Sequence, residues 1–162
     1  MITQSWDTAM KSGAANDASA CATFYLREGV HHVIDMLVVR LEYPALKRRM
    51  ITHAAVFHPE VILLEDKASG QSLLQDLRVE TDLPLIAVMP KGDKLARLIR
   101  VTPMLEAGKV ALPGHAPWLA DFEAELSQFP NAPHDDQVDA VSQYLNWIRD
   151  RERSGHGRIR RV

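Results

Sequence analysis

Cysteine is nearly absent. Cys21 is the single one in 162 residues, so no disulfide can form within the chain and core burial must hold the fold. That usage fits a reducing compartment. Long apolar runs are absent as well: nothing approaches the ~18 consecutive apolar residues of a membrane span. The N-terminus has no charged-then-apolar leader pattern. An excess of charge is also missing, since 19 Lys and Arg face 21 Asp and Glu, a formal net charge of −2. No global basic field announces a nucleic-acid partner, although local basic patches remain open. Repeats and low-complexity tracts are lacking too. These absences lead to the expectation of a cytoplasmic protein with no membrane association.

What is present reads as one α/β domain. A content of 46% hydrophobic and 25% charged residues is that of a globular chain. "MITQSWD" predicts a short strand ending in an acid. A polar loop follows, with Gly13, Asn16 and Asp17 as turn residues. "ASACATFYL" and "VHHVIDMLVVRL", separated by "REG", predict a hairpin, so the first three strands run antiparallel. Pro44 suits a first helical turn, "ALKRRMITHAAVF" continues at helical spacing, and Pro59 ends it. "EVILLED" and "LPLIAVMP" are the continuous apolar runs of buried parallel strands. Between them "SGQSLLQDLRVE" predicts a helix with Ser69 as N-cap and Gly70 at a tight strand-to-helix turn. A basic helix in "KGDKLARLIRVTPMLEAG", a short strand in "KVALP" and a helix in "APWLADFEAELSQF" come next. The last helix runs to about Arg151, with Val138, Val141, Leu145 and Ile148 as its core face. Residues 1–150 form the expected domain, and residues 151–162 a basic, flexible tail.

Acids gather at three places. Asp7 ends the first strand, Glu65 and Asp66 end the fourth, and Asp135, Asp136 and Asp139 open the last helix. Sites in α/β sheets form beyond the carboxyl ends of strands. Residues three and four apart share a helix face, so Asp139 can stand with Asp135 or with Asp136. Acids buried together are costly without a counter-charge. A divalent cation is the natural one, because Mg²⁺ and Mn²⁺ take oxygen ligands. Two such ions about 3.5–4 Å apart can stabilise both the attacking and the leaving oxygen of a phosphodiester. The competing reading is that these aspartates cap the helix and complement its dipole. Spacing alone leaves both open.

Four blocks then stand out: "SWDTAMKSGAANDASACATF", "VILLEDKASGQSLLQDL", "MPKGDKLARLIRVTPMLEAGKVALP" and "FPNAPHDDQVDAVSQYLNW". In this order, over about residues 1–150, the chain resembles the C-terminal nuclease domain of bacteriophage large terminase subunits, the prophage type above all. The resemblance implies a ribonuclease H-like fold: a mixed sheet of five or more strands, three antiparallel and then parallel ones, flanked by helices. It implies a metal-dependent endonuclease that cuts concatemeric double-stranded DNA during genome packaging in the bacterial cytoplasm, using one or two Mg²⁺ or Mn²⁺ ions. Partners would be DNA, the terminase ATPase domain, the small terminase and the portal. Carried over, Asp7 and Glu65 match the first two metal-binding catalytic carboxylates, and the third falls at Asp136 or Asp139. Asp17 matches an auxiliary acid, while Asp66, Asp135 and His134 stand beside the expected ligands as further auxiliary candidates. One departure is the motor's phosphate-binding loop, G-x-x-x-x-G-K-[ST]: "KASGQS" has neither its spacing nor its lysine. The chain is therefore expected to be an excised nuclease domain or a prophage remnant beginning at Met1, and a remnant need not cleave.

Lys91, Lys94, Arg97 and Arg100 in the basic helix, and Lys67 beside Glu65, are candidates for DNA phosphate contacts. Their alternative is a solvated helix face or, for Lys67, pairing with a neighbouring acid. Arg151, Arg153, Arg158, Arg160 and Arg161 could add nonspecific affinity from the tail. His31, His32, Trp118, Tyr144, Trp147 and Cys21 read as structural, and His134 as either a metal ligand or a helix-start partner. Two other functions compete with the endonuclease: a noncatalytic domain that binds DNA or a portal, and a nuclease of the same fold acting on junctions or RNA–DNA hybrids.

Overall fold

The structure, a computed structural model, describes residues 1–8, 18–66 and 68–155, except for the side chains of 68–70 and 155. Gly13, Asn16, Asp17, Lys67 and the arginines at 158, 160 and 161 lie outside the described residues. β1 (Ile2–Asp7), β2 (Ser19–Arg27) and β3 (Val30–Val39) form the antiparallel trio that the patterning predicts. Glu28 and Gly29 join β2 to β3 with φ of 52° and 78°, and this left-handed pair matches the twist of the flanking strands. α1 (Tyr43–Phe57) has Pro44 in its first turn and ends at His58, in a left-handed conformation just before Pro59. β4 (Val61–Glu65), α2 (Ala68–Glu80), β5 (Leu85–Val88), α3 (Lys94–Glu106), β6 (Val110–Ala111), α4 (Leu119–Gln128) and α5 (Asp136–Gly155) follow. Among the described residues the strands make one sheet of order β5-β4-β1-β2-β3-β6. β4 runs parallel to β1, β5 to β4, and β6 to β3.

Side-chain alternation divides the core between the two faces of the sheet. Trp6, Cys21, Ile62 and Leu64 pack with Leu46 and Met50 of α1 and Leu73 and Leu77 of α2. Ala20, Ala22, Phe24 and Leu63 pack with Val101 of α3, Phe122 of α4, and Val138, Val141, Tyr144 and Leu145 of α5. Burying each large aliphatic side chain contributes ~1.5–3 kcal/mol. The predicted core stripe of the last helix is therefore correct. So is the structural reading of His31 and Tyr144. Both are buried, the imidazole Nδ1 lies 2.8 Å from the phenolic oxygen, and the Tyr144 ring stacks on Phe24. The same alternation places the acids. Asp7 follows Trp6 and Glu65 follows Leu64, two residues paired across adjacent parallel strands, so both carboxylates fall on the α5 side.

Four expectations need correction. α2 begins at Ala68, so Ser69 and Gly70 lie inside the helix rather than at its cap and turn. β5 is an edge strand, and its residues are half-buried or exposed rather than fully buried. Lys91 precedes α3 and is not part of the basic helix; Gly92, at φ 84°, and the N-cap Asp93 separate them. α5 continues past Arg151 to Gly155, which makes Arg151 and Arg153 helical. No helix among the described residues is long and apolar enough to cross a membrane.

Candidate active site

Asp7, Glu65 and Asp139 line one cleft of about 740 Å³. The first two come from the ends of β1 and β4, the third from the start of α5. The cleft continues past Val88 and Met89 at the end of β5. Its outer part lies between α3 and α5, where Arg100, Trp147 and Asp150 line it.

Three side chains, Gln143, Asn146 and Glu125, hold α5 over the sheet. Gln143 Nε2 donates to Ser5 Oγ at 3.0 Å and to the Trp6 carbonyl at 3.2 Å, fixing the helix against the strand that carries Asp7. Asn146 Nδ2 donates to the Arg97 carbonyl at 2.9 Å and ties α5 to α3. Glu125 of α4 accepts from the Val138 backbone N–H and from Gln137 Nε2, both at 2.8 Å. That last contact bears on the capping question. A first-turn N–H of α5 is satisfied by a carboxylate from another helix.

Asp139 of α5 and Asp135, just before the helix, receive cations. Lys94 Nζ lies 2.6 Å from Asp135 Oδ1 and 2.7 Å from Asp139 Oδ2. Arg97 Nη2 donates to Asp139 Oδ1 at 2.9 Å, and its Nη1 is 3.9 Å from Glu65 Oε1. Both cations are set by the start of α3, where the Asp93 side chain accepts from the Ala96 N–H at 2.7 Å. Positions 94 and 97 are three apart, so they share the face turned to α5. Burial works against the charge of Lys94, but its hydrogen bonds to Asp135 and Asp139 prevail and raise its pKa.

The cluster still carries surplus negative charge. Burial first, then Asp139, Glu65 and Asp136 in turn, push the Asp7 carboxyl up to about 7, against a smaller opposing pull from Lys94. The donor chemistry fits a hard divalent ion: three carboxylates, all oxygen ligands, with charge that a cation would relieve. Their present arrangement is that of a cation-paired cluster. Both Asp139 oxygens are taken from α3, and no group of three or more such side chains stands in metal-holding geometry among the described residues.

The remaining candidates are dispersed. Asp136 lines an adjacent groove of about 430 Å³ with His134, Glu125 and Gln137. Burial, and next the neighbouring Asp135, raise its pKa. Asp66 donates its backbone N–H to the Val88 carbonyl at 2.9 Å and is not among the cleft-lining residues. Lys91 and Arg100 meet on Asp150, at 2.9 Å and 3.8 Å. Arg151 lies over the Trp147 ring, 4.6 Å from its centre. Glu125, Gln143 and Asn146 were not singled out from sequence. Glu125 did leave a signal, because it sits three residues after the core Phe122 on the inner stripe of α4, where a charge is unexpected.

A family model for the terminase RNaseH-like domain matches residues 4–147. The chain belongs to that family. Solved structures carry the same ribonuclease H-like fold. The large terminase nuclease of thermophilic phage G20c with bound zinc superposes with a TM-score of 0.71 at 15% identity, covering 90% of this chain and 80% of that one. The large terminase of a second thermophilic bacteriophage gives 0.67 at 12% identity, covering 91% of this chain and 40% of that one. The human cytomegalovirus terminase nuclease domain, soaked in Mn, gives 0.56 at 11% identity, with coverage of 91% and 83%. The chain thus spans about 40% of the length of the second phage's large terminase. A comparison with curated proteins finds no match.

Proposed function

We propose that this domain is a divalent-metal-dependent endonuclease for double-stranded DNA, the nuclease part of a phage large terminase. The observation that carries the reading is the convergence of Asp7, Glu65 and Asp139 on one cleft. These three would hold the ion. Asp139 is preferred to Asp136 because it lines the cleft with the other two, while Asp136 lines the neighbouring groove. A bound Mg²⁺ or Mn²⁺ would supply Lewis-acid charge at the scissile phosphate and lower the pKa of water there.

The chain's own groups do the rest. Gln143 and Glu125 keep the start of α5 against β1 and α4, so Asp139 stays over the strand ends from which Asp7 and Glu65 emerge. Lys91 and Arg100 form the phosphate-binding wall. They already converge on one anion, Asp150, whose pKa is lowered chiefly by the hydrogen bond from Lys91. A DNA phosphodiester presents two charged non-bridging oxygens, as that carboxylate does, and would take over the same pair of cations. Such contacts read backbone and not bases, so cleavage should show little sequence preference. The terminase ATPase domain, small terminase and portal are the partners this reading carries with it.

The test is nicking of supercoiled plasmid by the purified chain in Mn²⁺. Asp7→Ala should abolish it while leaving the circular dichroism spectrum unchanged. Undiminished cleavage by that variant would refute the assignment. Neither Mn²⁺ binding nor cleavage by the unsubstituted chain would favour a domain that only binds DNA or a portal.

A further inference from the structure

We propose that Lys94 and Arg97 are exchangeable counter-charges that compete with the divalent ion for Asp139, so that metal loading requires these α3 side chains to let go of it. The inference rests on the reading of Asp7, Glu65 and Asp139 as the metal-binding cluster.

Each Asp139 oxygen is engaged by a different cation, Lys94 at 2.7 Å and Arg97 at 2.9 Å. The carboxylate is buried, and so is the guanidinium, so their attraction is weakly screened. A divalent ion on the same oxygens would stand within a few ångströms of both positive charges, and like charges at that range repel strongly away from water. Full sharing is therefore unfavourable. One or both cations must withdraw.

The two can withdraw by different routes. Lys94 is half-exposed and already reaches Asp135 at 2.6 Å, so it can keep one partner while releasing Asp139. Arg97 is buried, and its second carboxylate is Glu65 at 3.9 Å, itself a proposed ligand. Turning from Asp139 to Glu65 would not vacate the cluster. Lys94 is thus the easy release and Arg97 the stronger restraint. Without metal the pair offsets part of the charge of an acid cluster that would otherwise be costlier to bury.

The experiment is Mn²⁺ titration of the DNA-free protein, reading free Mn²⁺ by electron paramagnetic resonance, with no cleavage involved. Lys94→Met and Arg97→Met keep the aliphatic stems and remove the charge. Lys94→Met should tighten Mn²⁺ binding by about fivefold and Arg97→Met by about tenfold or more, within the range typical of linked sites. Arg151→Met, which removes a charge from the same cleft wall without touching Asp139, should change it by less than about twofold. Unchanged or weaker binding in Lys94→Met overturns the proposal, and because that side chain is half-exposed the variant stays folded even if Arg97→Met does not. Equal tightening in Arg151→Met overturns it too, since a general field and not competition would then be at work. If unsubstituted protein and all variants bind no Mn²⁺, the metal reading itself fails. If binding depends on Asp7 but ignores Lys94 and Arg97, only this inference fails.

Discussion

Replacing Asp7 by Asn should stabilise the metal-free protein, and the gain should depend on pH. The Asp7 carboxyl moves from 3.8 to about 7 on folding, by burial and then by the nearby Asp139, Glu65 and Asp136. Below pH 3.8 both folded and unfolded chains hold the proton, and Asp7 contributes nothing to the difference. Between 3.8 and 7 the unfolded chain gives up its proton while the folded one keeps it, so stability falls as pH rises. Above about 7 the penalty is complete. A shift of about three units at 1.36 kcal/mol each sets an upper limit of about 4 kcal/mol. Asp7 keeps some contact with solvent, so a gain of about 2 kcal/mol is the more realistic expectation. For a chain of this size that corresponds to roughly 4–8 °C in melting temperature. The assay is urea denaturation in EDTA at pH 4.5 and pH 8, comparing Asp7→Asn with the unsubstituted chain. A clear gain at pH 8 that shrinks at pH 4.5 is expected. Equal gains at both pH values, or a loss at pH 8, would show that Asp7 is not held in a surplus of negative charge. Mn²⁺ should reverse the order at pH 8, because it stabilises only the chain that binds it.

Glu125→Ala should cost about 1–3 kcal/mol in urea denaturation, since the Val138 N–H and Gln137 Nε2 lose a buried acceptor. Lys91→Ala and Arg100→Ala should each lower the salt slope of duplex binding by about 1, measured by fluorescence anisotropy against salt concentration. Asp139→Asn should cut plasmid nicking by about 100-fold or more, while Asp136→Asn stays within about tenfold of the unsubstituted rate.

Much of the fold was legible because its signals are local. The strand-prone run "SACATFYLR" and the Glu28–Gly29 turn define a hairpin without reference to anything distant. The run "VILLE" has apolar residues for both faces, as a central parallel strand needs. The acids at the ends of β1 and β4 were legible for the same reason, since strand direction and period fix where they emerge. The partners of Asp139 were not. They depend on α3 docking against α5, a contact between residues 42 apart in sequence, which no local pattern specifies. A weaker sign existed: Arg97 shares a buried stripe with Val101 and Met104, and a cation on such a stripe implies an anion opposite. The basic run from Lys91 to Arg100 hides the boundary of α3, although Gly92 and Asp93 spell a turn and an N-cap. The half-exposed β5 reflects its position at the sheet edge, and sheet order is not written in a single strand.

The most direct measurement is anomalous scattering from a crystal soaked in Mn²⁺. The account predicts a manganese peak in contact with Asp7, Glu65 and Asp139, with Lys94 withdrawn to Asp135. A peak in the groove beside Asp136 and His134, or no peak with Asp139 still held by Lys94 and Arg97, would contradict it.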